Sequence, residues 1–267
     1  LHHQLRRGCK RRQQLRVIDL SKPVRFNRED PLFMQVRIKH TPRWMARLLV
    51  RLLGLPFKLM PHDFCGWADE TITKMGVHST THIDAPWHYG PISGSKPAQT
   101  IDQIPLESCL GPGLVLDMTH KADDDPITAR DMEEALERSG GELGPGTIVL
   151  IRTGRDRHIG TKNYWKTGTG MSAAATEWLL DRGITVTGID QWGWDLPFRT
   201  QIAKARSTRN ADLFWEAHRV GQRRPFWHME QLVNLDKLPP HGFEVGVFPL
   251  PIVGASAAPA RVVAILR

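Results

Sequence analysis

Residues 78–88 read His-Ser-Thr-Thr-His-Ile-Asp-Ala-Pro-Trp-His. His78, His82, Asp84 and His88 all occupy even positions. In an extended chain, side chains alternate between faces, so these four share one. At a rise of about 3.3 Å per residue, His82 and Asp84 would stand about 6.6 Å apart along that face. Imidazole nitrogens and a carboxylate converging from such a spacing can hold a divalent ion at about 2.0–2.2 Å. A helix would align His78 with His82 but turn Asp84 away. Pro86 also argues for extended chain, since it lacks an amide hydrogen and biases Ala85 toward β geometry. A lone His-x-x-x-His pair would mean little, because most bind nothing. Four metal-capable side chains of one parity predict a metal site.

The elements that would position them follow from periodicity and punctuation. Residues 17–20, 114–117, 147–152 and 184–190 are short apolar runs and read as strands. Thr128 opens a helix with Asp131 at the capping-box position, and Gly140 ends it. Ser172 opens another, with Trp178, Leu179 and Leu180 on its buried side. Two closing strands follow residue 242. Strand and helix alternate, which predicts an α/β single domain with a mixed sheet and flanking helices. No internal repeat or linker interrupts it. Residues 41–55 form a basic amphipathic helix, with Arg43, Arg47 and Arg51 among Trp44, Met45, Leu48, Leu49, Leu52 and Leu53. It is shorter than the roughly 20 residues a bilayer span needs. Its apolar face is expected on the core or on a second subunit, with a membrane surface as the competing reading.

Composition narrows the function classes. The 267 residues are 40% hydrophobic, enough for a packed core. Three separated cysteines give neither a disulfide framework nor a zinc ribbon and suggest a reducing, cytoplasmic compartment. The net charge is +8, but six of those charges lie in residues 1–16, leaving an ordinary balance. This arm, residues 1–16, reads as a disordered or non-native extension; nucleic-acid or anionic-surface binding is the alternative. Neither nucleic-acid binding nor integral membrane association is expected of the rest.

The 78–88 stretch resembles the signature of the cyclase family of metal-dependent hydrolases, which includes kynurenine formamidase and isatin hydrolase. The family pattern His-x-Gly-Thr-His-x-Asp-x-Pro-x-His is met at His78, Thr81, His82, Asp84, Pro86 and His88 and departs at Thr80. The resemblance spans residues 17–267 and is loosest at 41–75, which reads as a subfamily-specific helical insertion. It implies a swivelling β/β/α fold. It also implies a first ion on His78, His82 and Asp84, and a second shared by Asp84 with His218 and Glu230. The family pairs such a histidine and glutamate at this separation. His228 lies off that pattern. The implied cofactor is Zn²⁺ or Mn²⁺, one or two ions per subunit, and oxygen and imidazole donors do not separate the two metals. His88 takes the acid/base position.

Asp190 and Asp195 match a family Asp-x-x-Ser-x-Asp segment in which Gly193 replaces the serine, and stand as candidates to support the ligands. Trp67, Trp87, Trp192 and Trp194 are candidate substrate contacts, with Trp215 and Trp227 near them in sequence. Core packing is the ordinary alternative for each. The expected reaction is hydrolysis of an amide, lactam or lactone of a small aromatic or cyclic substrate by a homodimer or homotetramer. A non-catalytic ligand-binding protein of the same fold is the other reading.

Overall fold

The computed structural model describes residues 15–267. Eight strands form its main sheet: β1 (Arg16–Asp19), β2 (His82–Asp84), β3 (Leu110–Asp117), β4 (Ile148–Arg152), β5 (Val186–Ile189), β6 (Trp227–Glu230), β7 (Phe243–Pro249) and β8 (Ala257–Leu266). Their order is β1-β8-β7-β3-β4-β5-β6-β2, and β2 returns to pair with β8. Strands β2 to β8 therefore close into a seven-stranded barrel, with β1 lying along β8. The run β3-β4-β5-β6 is parallel, and the remaining pairs are antiparallel.

Side-chain alternation fills both faces of the sheet. Ile148 and Leu150 of β4 join the interior cluster with Ile83, Val115, Met229 and Val245. Val149 and Ile151 point the other way and pack with Leu114, Leu116 and two helices. These are α3 (Ala129–Ser139) and α4 (Ala173–Asp181). A strand buried on both sides reads as a continuous apolar run. The helices start where expected. Thr128 caps α3 in a reciprocal box with Asp131, Gly140 closes it at φ 64°, and Ser172 caps α4.

Two expectations change. Pro86 does not continue an extended run. Ala85 is extended at ψ 157°, but Pro86 is the first residue of a one-turn helix, α2 (Pro86–Tyr89). Proline is well suited there, since the first helical N–H has no intrahelical partner. The amphipathic helix α1 (Arg43–Leu52) forms, yet its apolar side does not enter the core. Ala46 is its one buried residue, while Trp44, Leu48 and Leu52 are 62%, 44% and 75% exposed. Residues 69–74 pair antiparallel with 37–41 in a separate two-stranded sheet whose strands α1 connects. The expected arm at residues 1–16 lies outside the described residues apart from its end, and Arg16 already belongs to β1. Among the described residues, no helix is long and apolar enough to cross a membrane.

Asp190 follows β5 and is buried. Its carboxylate accepts from the Thr153 amide and the Gly154 amide, both at 2.8 Å, and from the Thr153 hydroxyl at 2.6 Å. It pins the chain leaving β4. Burial pushes its pKa up to about 7 in spite of these bonds. The folded state then holds a proton that the unfolded state releases near pH 4, so this group's stabilising contribution is lost as pH rises from about 4 to about 7. Asp190→Asn places an amide N–H against a backbone donor. Urea titrations should show a loss of about 1–3 kcal/mol, with a flatter pH dependence than wild type between about pH 4 and about pH 7.

Candidate active site

The site is built on adjacent strands of the barrel. β2 reads His-Ile-Asp and β6 ends His-Met-Glu. They run antiparallel with Asp84 opposite His228 and Glu230 opposite His82. Ile83 and Met229 point into the barrel, so the four polar side chains share the outer face. Directly opposed Cβ atoms lie about 4.5–5.5 Å apart, close enough for their tips to meet. All four are buried.

His78 and His88 join them by other routes. His78 arrives from the turn before β2 and His88 from α2, so even parity brings only His82 and Asp84 together along a strand. His218 comes from the segment before β6. Thr80, where the family pattern has glycine, does not require a positive φ. Its carbonyl accepts from His82 Nδ1 at 2.7 Å, so threonine is accommodated.

Each oxygen of Asp84 faces its own group of imidazoles. Oδ1 lies 2.9 Å from His78 Nδ1 and 3.2 Å from His82 Nε2, which are 3.1 Å from each other. Oδ2 lies 3.2 Å from His228 Nε2, 3.9 Å from His88 Nε2 and 4.0 Å from His218 Nε2. Glu230 Oε1 is 3.6 Å from His218 Nε2 and 3.1 Å from His228 Nε2. Despite these approaches, both Asp84 oxygens are buried without a hydrogen-bond partner. A buried carboxylate in that state is costly unless a cation compensates it. Donor atoms on a tetrahedral ion at about 2.0–2.2 Å sit about 3.3–3.6 Å apart, and the observed separations bracket that value. Two such clusters stand out, His78-His82-Asp84 and Asp84-His218-His228-Glu230. The donor set fits a metal cofactor.

The electrostatics agree. Burial opposes ionisation of Asp84, but His88, His78 and His82 outweigh it and hold the carboxyl well below its usual range. Burial would lower His228, but its contacts with Asp84 and Glu230 raise it to about 9. His88 moves the other way. Burial, with His218 and His78 nearby, lowers it to about 4, leaving a neutral imidazole at pH 7.

His228 is the residue that sequence reasoning left out. A signal was present: His228-x-Glu230 repeats the spacing of His82-x-Asp84 on a second strand. Asp195 takes the supporting role considered for it, with a carboxylate that meets His218 Nδ1 in a short contact and accepts from the His218 amide at 3.1 Å. Asp190 instead holds the loop after β4.

The tryptophans divide. A cavity of about 370 Å³ opens beside the site and is lined by Trp192, Phe198, Trp215, Phe33 and Met34 together with His78, His88, His218 and Glu230. Trp67 and Trp87 do not line it and are 45% and 44% exposed. Trp194 is fully buried behind the site. Its ring packs 4.9 Å from His228 and its amide donates to Glu230 Oε1 at 2.8 Å. Trp215, passed over as a contact, stacks on His218 at 4.7 Å from a backbone at φ 57°. Trp227 is core.

Asp195→Asn removes the charge that fixes His218 with Nε2 toward the cluster. Chelator-competition titration should show metal affinity falling by about 10–100-fold, with the circular dichroism of the fold retained.

The sequence and fold both have relatives. Residues 18–196 match the putative cyclase family. Kynurenine formamidase of Bordetella petrii is 31% identical over 195 residues, covering 73% of this chain and 78% of the relative. Isatin hydrolase of Roseibium aggregatum is 30% identical over 202 residues, covering 72% and 73%. The solved structure of isatin hydrolase A from Ralstonia solanacearum superposes with a TM-score of 0.69 at 24% identity, covering 95% of this chain and 92% of that one; this last is a likeness of fold. With the family matched over most of the chain and the barrel shared with its structures, this protein belongs to the cyclase family.

Proposed function

We propose that this protein is a metal-dependent hydrolase that cleaves a carbonyl C–N or C–O bond in a small aromatic or cyclic amide, lactam or lactone. The observation that carries this reading is the Asp84 carboxylate, each oxygen facing its own imidazoles, with His78, His88, His218 and Glu230 around it lining an aromatic cavity. A divalent ion held at this carboxylate would supply Lewis acidity for a carbonyl and for water near neutral pH. We assign the ion-holding role to His78, His82, Asp84, His218 and Glu230, and favour Zn²⁺ or Mn²⁺ from the donor types.

The chain's own groups divide the remaining work. Trp192, Phe198 and Trp215 offer flat apolar surface to a ring and exclude water from it. His88 borders the cavity with Nε2 3.9 Å from Asp84 Oδ2, and its ring makes no hydrogen bond among the described residues. A neutral imidazole free of a fixed partner can take a proton from the attacking water and return it to the leaving nitrogen or oxygen. Trp215 meets its ring edge-on at 5.3 Å and limits its swing.

We further infer a homodimer or homotetramer joined through the exposed apolar side of α1, a cytoplasmic setting, and a subfamily-specific insertion at residues 41–75. Light scattering of wild type beside Leu48→Glu tests the first: an unchanged mass would remove α1 from the interface.

The functional test is elemental analysis with a hydrolysis screen of N-formyl amides, cyclic imides and lactones. His82→Ala should lose metal and activity together. His88→Ala should keep its metal and lose turnover by about 10²–10⁴-fold. An unchanged rate in His88→Ala would end its assigned role.

A further inference from the structure

The five histidines around Asp84 differ in what holds the ring nitrogen that faces away from it. His78 Nε2 meets Ser256 Oγ at 3.2 Å. His82 Nδ1 donates to the Thr80 carbonyl at 2.7 Å, and His218 Nδ1 is held by Asp195. His228 Nδ1 meets the Tyr89 hydroxyl at 2.8 Å. His88 has no such partner among the described residues. A histidine that ligates a metal is characteristically held this way, its other nitrogen fixed by an oxygen that sets tautomer and ring orientation. By this criterion His228 groups with the ligands and His88 stands apart.

We propose that His228 is a fourth protein ligand of the second ion, closing a set with Asp84, His218 and Glu230 and leaving the three-ligand set of His78, His82 and Asp84 as the open one. The inference rests on the metal-hydrolase reading and deepens it. His228 Nε2 stands 3.2 Å from Asp84 Oδ2 and 3.1 Å from Glu230 Oε1, the span of ligand atoms sharing one ion. The side chain is wholly buried, and its ring is fixed between Tyr89 at 5.6 Å and Trp194 at 4.9 Å. Gly221 makes room for that arrangement, since a Cβ there would lie 2.0 Å from the Tyr89 ring.

The consequence is a division of labour. Four protein ligands close a site and favour a structural ion, while three leave a position for water or substrate. His78 of the open set and His218 and Glu230 of the closed set line the cavity, whereas His82, Asp84 and His228 do not. Both sets thus reach the cavity, and coordination number, not access, separates them.

The test is metal binding, read without turnover. Wild type, His228→Ala and Tyr89→Phe are stripped, reloaded with Co²⁺ and titrated with a chelator while visible absorption and metal equivalents are followed. Wild type should take two ions, one with the intense absorption of four-coordinate cobalt. In His228→Ala that ion should weaken by more than about 100-fold, beyond the loss typical of an outer partner, and its intense band should collapse while the other ion stays. Tyr89→Phe keeps the ring and should weaken the same ion by about 10–100-fold. Two ions of unchanged affinity in His228→Ala would overturn the assignment. So would a wild type that saturates at one ion with a proton retained on His228 Nε2, seen by nitrogen NMR. Should His228→Ala fail to fold, Tyr89→Phe decides, and unchanged affinity there overturns it equally. Two ions, one of them dependent on His228, with no hydrolysis of any screened substrate would sink the hydrolase reading and leave the ligand assignment standing.

Discussion

The structure depends on the charge of one buried carboxylate. Asp84 is wholly inaccessible, and neither of its oxygens accepts a hydrogen bond. An isolated carboxylate in such a place would cost several kcal/mol even after relaxation. Among the described residues, no arginine or lysine pairs with it. The chain surrounds it with five imidazoles, groups that are either neutral metal ligands or weak acids at physiological pH. That choice keeps the centre able to exchange a proton for an ion, which a permanent guanidinium would prevent.

Barrel closure turns this local arrangement into a fixed one. β2 is three residues long and would be a poor strand alone. It is held on both edges, by β6 and by β8, so its register is doubly specified. A slip of one residue would send His82 and Asp84 into the barrel and Ile83 out. The apolar interior makes such a slip prohibitive, and hydrophobic packing on one face thereby sets the geometry of His82 and Asp84 on the other. Short loops finish the work: the turn before β2 delivers His78, and the one-turn helix after it delivers His88. Gln231, at φ 60°, donates to the His78 carbonyl at 2.9 Å and links the two halves of the site.

The periphery obeys a different logic. α1 buries Ala46 alone and turns Trp44, Leu48 and Leu52 outward, the reverse of an ordinary surface helix. The strands on either side of it, residues 37–41 and 69–74, pair with each other and not with the main sheet. The cavity sits between these regimes. Its polar wall combines Glu230 of the barrel face with His78, His88 and His218 from the segments beside it, and Phe33, Met34, Trp192, Phe198 and Trp215 supply the rest.

The sequence by itself determined much of this. Apolar runs gave β3, β4 and β5, caps at Thr128 and Ser172 placed their helices, and the 78–88 pattern marked His78, His82, Asp84 and His88, which the fold brings together. These are local signals, carried by residues a few positions apart. Only the tertiary structure decided what depended on pairing between distant strands. His228 gains its position because β6 lies antiparallel to β2 and sets it opposite Asp84, a pairing of distant segments that no periodicity encodes. Trp194 became core and Trp215 a cavity wall because opposite faces of one connection meet different surroundings. The apolar side of α1 was legible as apolar, but the direction it faces is set by what the barrel leaves uncovered, and that is a property of the whole fold.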